Sequence, residues 1–86
     1  MKYLTSKFFD KQFSKLSPKI KIQCLGKLGI FLNNTYERSL NNHSLGGEYK
    51  GYRSINITGD IRIIYKEIDK DVAYLVEIGS HSELYK

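Results

Sequence analysis

The run Tyr52-Arg53-Ser54-Ile55-Asn56-Ile57-Thr58-Gly59-Asp60-Ile61-Arg62-Ile63-Ile64-Tyr65-Lys66 decides the fold of this chain. Apolar residues recur at every second position on both sides of Thr58-Gly59-Asp60, the period of a half-buried strand interrupted by a turn. For Ile55 and Ile57 to share a face with Ile61 and Ile63, the connection must hold an odd number of residues. Thr58-Gly59-Asp60 is the simplest choice, with Gly59 or Asp60 at positive φ. Asn56 then stands opposite Arg62 on the other face. A third stretch repeats the alternation, with Val72, Tyr74, Val76 and Ile78 on the core side. An even loop around Asp69-Lys70 pairs Tyr65 with Tyr74, Ile63 with Val76, and Arg62 with Glu77. This antiparallel meander ends beside the Thr58-Gly59-Asp60 loop, so Asp60 and His81 are expected at one edge of the sheet.

Working outward, the N-terminal half changes period. A short strand is expected over Lys2 to Thr5, after which Ser6 caps a helix carrying Phe9, Phe13 and Leu16 at helical spacing. Ser17-Pro18 ends it and starts a second helix, Ser at the N-cap and Pro at the first helical position. Ile20, Cys24, Leu28 and Phe31 form the apolar stripe of that helix, widened by Leu25 and Leu32. Gly26 and Gly29 each cost about 1 kcal/mol against Ala, tolerable if they let the two helices approach. Asn33-Asn34 reads as the stop, and residues 33–42 as a polar connection or a frayed helix end. The predicted architecture is α+β, one domain over residues 1–86: an N-terminal strand and a two-helix hairpin packed on one face of a small antiparallel sheet, in the order β-α-α-β-β-β. The other face keeps Asn56, Arg62, Lys66 and Glu77, with Ile64 and Leu75 among them, and is the expected working surface.

At 86 residues one small core is all the chain can build. Its net charge of +5 favours an anionic partner, nucleic acid being the commonest. The single cysteine, Cys24, excludes an internal disulfide, and no Cys and His cluster has zinc spacing. No apolar run approaches the roughly 20 residues that span a bilayer, and the N-terminus lacks a signal peptide. A cytoplasmic protein with no membrane association follows as the expectation.

Both histidines, His43 and His81, lie in the half that carries the strands. A histidine exchanges protons near neutral pH, so two in a basic chain point to acid–base work on a phosphate, although a surface histidine without function is the commoner case. Arg62 has the planar fork that clamps a phosphate and stabilises a pentacoordinate transition state; the bland alternative is a cross-strand ion pair with Glu77. Asp60 orients a histidine, acts as a base or merely serves its turn, the last being more usual. Arg53, Lys50, Asn56 and Lys66 are candidate RNA contacts, and Tyr85 either stacks on a base or anchors the tail. Lysines of the first helix track a phosphate backbone or form its solvated side.

Together, His43-x-Leu45-Gly46, Gly51-Tyr52-Arg53-Ser54, the run from Gly59 to Lys66, and Gly79-Ser80-His81-Ser82-Glu83-Leu84-Tyr85 resemble the RelE/ParE superfamily of bacterial toxins, most closely its YafQ-like branch of mRNA interferases. The resemblance implies a type II toxin that enters the ribosomal A site and cuts mRNA there, without metal or other cofactor, by attack of a 2′-hydroxyl on the adjacent phosphate. It also implies a cognate antitoxin as partner, with the toxin monomeric inside a hetero-oligomer. By the same likeness His43 does acid–base work, His81 protonates the leaving oxygen, Asp60 matches the aspartate of the loop, and Tyr85 takes the place of an aromatic. Two positions depart from the pattern: Asn56 stands where the branch has a histidine, and Ile61 where an aromatic follows the aspartate. The scaffold also has a ParE-like alternative that inhibits DNA gyrase without cleaving anything, and a non-catalytic RNA- or protein-binding module is a third reading.

Overall fold

The computed structural model describes residues 1–84; Tyr85, a candidate site residue, lies outside them. Strand β1 (Lys2–Thr5) leads into helices α1 (Lys7–Ser14) and α2 (Pro18–Asn33). Strands β2 (His43–Ser44), β3 (Arg53–Asn56), β4 (Ile61–Asp69) and β5 (Val72–Ser80) follow, and the short helix α3 (His81–Leu84) closes the described chain. The five strands form one sheet in the order β1-β5-β4-β3-β2. The α+β expectation holds, with two additions. Strand β1 joins β5 in parallel, so the sheet is mixed, and the two-residue β2 extends the far edge.

The helix starts form as their caps dictate. Ser6 Oγ accepts from the Phe9 amide at 2.9 Å and donates to the Val76 carbonyl at 2.8 Å, fixing α1 to the sheet as it begins. Ser17 caps α2 through the Ile20 amide, with Pro18 in the first turn. β1 ends opposite Leu75; beyond it, Gln12 of α1 accepts from the Ile78 amide at 2.8 Å. Phe9, Cys24, Leu28 and Phe31 bury themselves against Ile55, Ile57, Ile63, Tyr65, Ala73, Leu75 and Ile78, and the Phe31 ring meets Tyr65 edge-on at 5.0 Å. Leu25, expected to widen the stripe, is 56% exposed. No atom stands within 4 Å of a side chain placed at Gly26 or Gly29, so neither glycine serves a close helix approach.

The β3–β4 register is the expected one, Ile55 opposite Ile63 and Asn56 opposite Arg62. Its turn closes differently: Gly59 and Asp60 keep negative φ, and the Thr58 hydroxyl accepts from the Asp60 and Ile61 amides at 3.2 and 2.9 Å. The β4–β5 pairing departs more. The turn falls on Lys70-Asp71, so Arg62 faces Gly79 and Ile63 faces Ile78. Two offsetting register shifts follow, Val76 being the extra residue on β5 and Ile68 on β4. Beyond the first, Leu75 and Ala73 turn into the core, while Tyr74 and Val76 are only half-buried. Apolar residues occupy nearly every position of β5, so alternation alone does not choose a face.

The second face is also less open than expected. Residues 41–52 fold back over part of it, using left-handed backbone at Gly47 (φ +60°) and Gly51 (φ +93°). Tyr49 from this segment donates its hydroxyl to Glu77, which stands opposite Ile64, and Ile64 is fully buried.

Burial pushes the Cys24 thiol up to about 11 from 9.0. With the folded value above the unfolded one, stability is intact below pH 9.0 and falls as pH rises toward 11. The unfolded chain ionises over that window, at a cost to stability of about 2 to 3 kcal/mol. Urea unfolding of wild type and Cys24→Ala at both ends of the window should show that extra loss in wild type only; parallel losses would contradict it.

Candidate active site

The sheet brings the two histidines to one place. His43 lies opposite Ser54, and alternation along β3 puts Ser54 on the same face as Asn56 and, across the pair, Arg62. At the other end Ser80 faces Ile61, and the His81 amide continues the ladder by donating to the Asp60 carbonyl at 3.1 Å. His43, Arg62 and His81, with Asn41 and Leu45, line one open cleft of about 350 Å³. The edge expected for Asp60 and His81 is formed, and His43 reaches it.

Each cleft residue has a local reason for its position. His43 Nδ1 sits 2.7 Å from the Asn41 carbonyl. A carbonyl only accepts, so Nδ1 carries the proton and Nε2 of the neutral ring is left as the base. Asn41 presents that carbonyl from a left-handed conformation, φ +45°, at the end of the 3-10 turn Arg38–Leu40. Arg62 Nη1 donates to Asn56 Oδ1 at 2.6 Å. Asn56, the departure from the family pattern, thus aims the guanidinium, and the expected pair with Glu77 is absent because the register sets Gly79 opposite Arg62. His81 opens α3, whose start is closed reciprocally: the Glu83 amide donates to Ser80 Oγ at 3.2 Å, and the Ser80 amide to Glu83 Oε1 at 2.8 Å.

Other expected site residues lie elsewhere. Asp60 is exposed and meets His81 through its backbone carbonyl. Arg53 faces the helix side of the sheet with Ile55, away from Arg62; its Nε donates to Asn42 at 2.8 Å, and its guanidinium lies 5.4 Å from the Tyr36 ring centre. It therefore has no place on a phosphate held in this cleft. Lys66 shares the cleft's face but sits four residues along β4, over the Tyr52 ring, and Lys50 is exposed after the 3-10 turn Gly47–Tyr49. Asn41, Ser80 and Glu83 are missed in the sequence reading. The Ser80-x-x-Glu83 spacing signals the capped turn, whereas nothing marks Asn41 before its conformation is known. Among the described residues, no group of three or more His, Cys, Asp or Glu side chains is placed to hold a metal ion.

The arrangement offers an oriented base, a cation and a second proton-carrying ring around one opening, which suits proton transfer about a phosphodiester. Comparison with known proteins identifies a family. The family model described as a bacterial toxin of type II toxin–antitoxin systems, YafQ, matches residues 1–86. No curated protein matches the chain by sequence. Among solved structures, YafQ from E. coli strain BL21(DE3) superposes with a TM-score of 0.82 at 22% identity, covering 98% of this chain and 97% of that one. The E. coli DinJ–YafQ toxin–antitoxin complex gives 0.76 at 26%, covering 98% and 96%. A YoeB/ParE toxin from Agrobacterium tumefaciens gives 0.77 at 14%, covering 94% and 99%, a likeness of fold.

Proposed function

This chain belongs to the YafQ family of toxins of bacterial type II toxin–antitoxin systems, and from that premise we propose that it is a ribosome-dependent endoribonuclease cleaving mRNA in the A site. The observation that carries the reading is the shared cleft of His43, Arg62 and His81, with His43 held in the tautomer that exposes Nε2. In the reaction, Nε2 of His43 takes the proton of a ribose 2′-hydroxyl as its oxygen attacks the adjacent phosphorus. The bond from phosphorus to the 5′ oxygen breaks, and protonated His81 supplies the proton that the leaving oxygen needs. The products are a 2′,3′-cyclic phosphate and a free 5′-hydroxyl. Arg62, aimed by Asn56, stabilises the additional charge of the pentacoordinate state. Asp60 supports His81 from the adjoining turn.

The partner that restrains this activity is a cognate antitoxin, as the solved DinJ–YafQ complex of a relative supports. The toxin is one monomeric component of that hetero-oligomer and works in the cytoplasm; no helix among the described residues is long and apolar enough to cross a membrane. The test is direct: purified protein is added to ribosomes carrying a defined mRNA, and fragment ends are analysed. Cleavage within the A-site codon, leaving cyclic phosphate and 5′-hydroxyl ends, is expected. Intact mRNA together with inhibited DNA supercoiling would overturn the reading.

A further inference from the structure

Arg53 is built into the molecule too firmly to be an idle surface cation. Its Nε donates to Asn42 Oδ1 at 2.8 Å, while Asn42 Nδ2 donates to the Tyr65 hydroxyl at 2.8 Å and to the Thr35 carbonyl at 2.9 Å. Both ends of the Asn42 amide are therefore occupied. Tyr65 is fully buried with its ring against Phe31, and Arg53 stands opposite Tyr65 in the sheet. The guanidinium in turn lies over Tyr36. Asn42 sits between Asn41, whose carbonyl accepts a hydrogen bond from His43 Nδ1, and His43 itself. Anchoring the Asn42 side chain in the core thus fixes the backbone on both sides of it, including the strained Asn41.

We propose that Arg53, Asn42 and Tyr65 form a positioning relay that holds His43 in its working tautomer and orientation, and that Arg53 serves catalysis through this relay rather than by binding phosphate. The role of His43 in cleavage is taken from the function proposed above; the relay's effect on its ring is independent of it. Burial raises the titration of the Tyr65 phenol above its ordinary value, so the hydroxyl that accepts from Asn42 is neutral. A displacement of about 1 Å at a reacting group costs on the order of 100-fold in rate, so loosening this anchor should act on turnover and leave RNA affinity in place.

Two variants test the relay. Arg53→Lys keeps the charge and loses the planar Nε donor; Tyr65→Phe removes one hydroxyl and keeps the core ring. On mRNA-programmed ribosomes both should lower kcat by about 10- to 100-fold, with KM within about twofold and an unchanged dependence of KM on salt. Independently of cleavage, ¹⁵N NMR of the imidazole should show His43 as the Nδ1-protonated tautomer in wild type and a mixture of tautomers in both variants. Arg53→Lys with full kcat, with a raised KM and a shallower salt dependence, or with an unchanged His43 signal would overturn the proposal. If wild type cuts no RNA yet its fixed tautomer is lost in the variants, the relay stands and the nuclease reading falls.

Discussion

His81→Gln is expected to reduce A-site mRNA cleavage by about 100- to 10,000-fold, the range for loss of a positioned general acid, while ribosome binding and the melting temperature stay close to wild type. Glutamine keeps much of the volume and some hydrogen-bonding capacity of the ring but cannot hand a proton to the leaving oxygen. His81 is exposed, and glutamine keeps the backbone contacts that hold this position: the amide on the Asp60 carbonyl and the Ser80–Glu83 closure of the turn. His43→Gln should lose activity over the same range by removing the base. The double variant should be far less impaired than the product of the two losses, since groups serving one proton-transfer reaction act as a unit. Single-turnover cleavage with growth arrest in parallel provides the readout. Toxicity that survives both replacements, accompanied by a defect in supercoiling, would assign the scaffold to gyrase inhibition instead.

Arg62→Met should lower kcat by about 100- to 1,000-fold, equivalent to roughly 3 to 4 kcal/mol of transition-state stabilisation. The side chain is half-buried in the cleft and directed by Asn56, so its charge is already in place as the phosphate gains negative charge. KM should change much less than kcat, because a ground-state phosphodiester bears less charge than the pentacoordinate state. Arg62→Lys should recover only part of the loss, a point charge replacing a planar fork. Asn56→Ala should have a smaller effect in the same direction, through disorder of the guanidinium. An Arg62→Met enzyme with wild-type kcat and a raised KM would confine Arg62 to binding.

What the sequence made legible was whatever a period or a cap encodes. Ser6, Ser17 and Pro18 placed both helices, and the isoleucines on either side of Thr58-Gly59-Asp60 placed β3 against β4 in register. β5 was harder, because its apolar residues fill both parities and the polar tract Asp69-Lys70-Asp71 accommodates a two-residue turn in either of two places. The site divides along the same line. His81 was legible at the sheet edge because strand pairing carries it there, whereas the position of His43 depends on a segment without periodicity. Arg53 was misread for a related reason: Arg53 and Arg62 look alike as basic residues near a turn, and only strand parity, odd for one and even for the other, separates the face that anchors His43 from the face that holds the cleft.

The location of the β4–β5 turn governs what a folding error would produce. A chain turning at Asp69-Lys70 instead of Lys70-Asp71 slips its pairing by two residues, roughly 7 Å along the strand. Such a slip keeps the sense of Glu77, Ile78 and Gly79, and residues 72–76 are apolar at both parities, so the hydrophobic pattern hardly opposes it. It would, however, set Asp60 opposite Gly79 and carry His81 past the cleft. Errors at this hairpin are therefore silent: they yield a compact chain in which His81 no longer shares an opening with His43 and Arg62, and the assembly of that cleft is contingent on a single correct choice of turn.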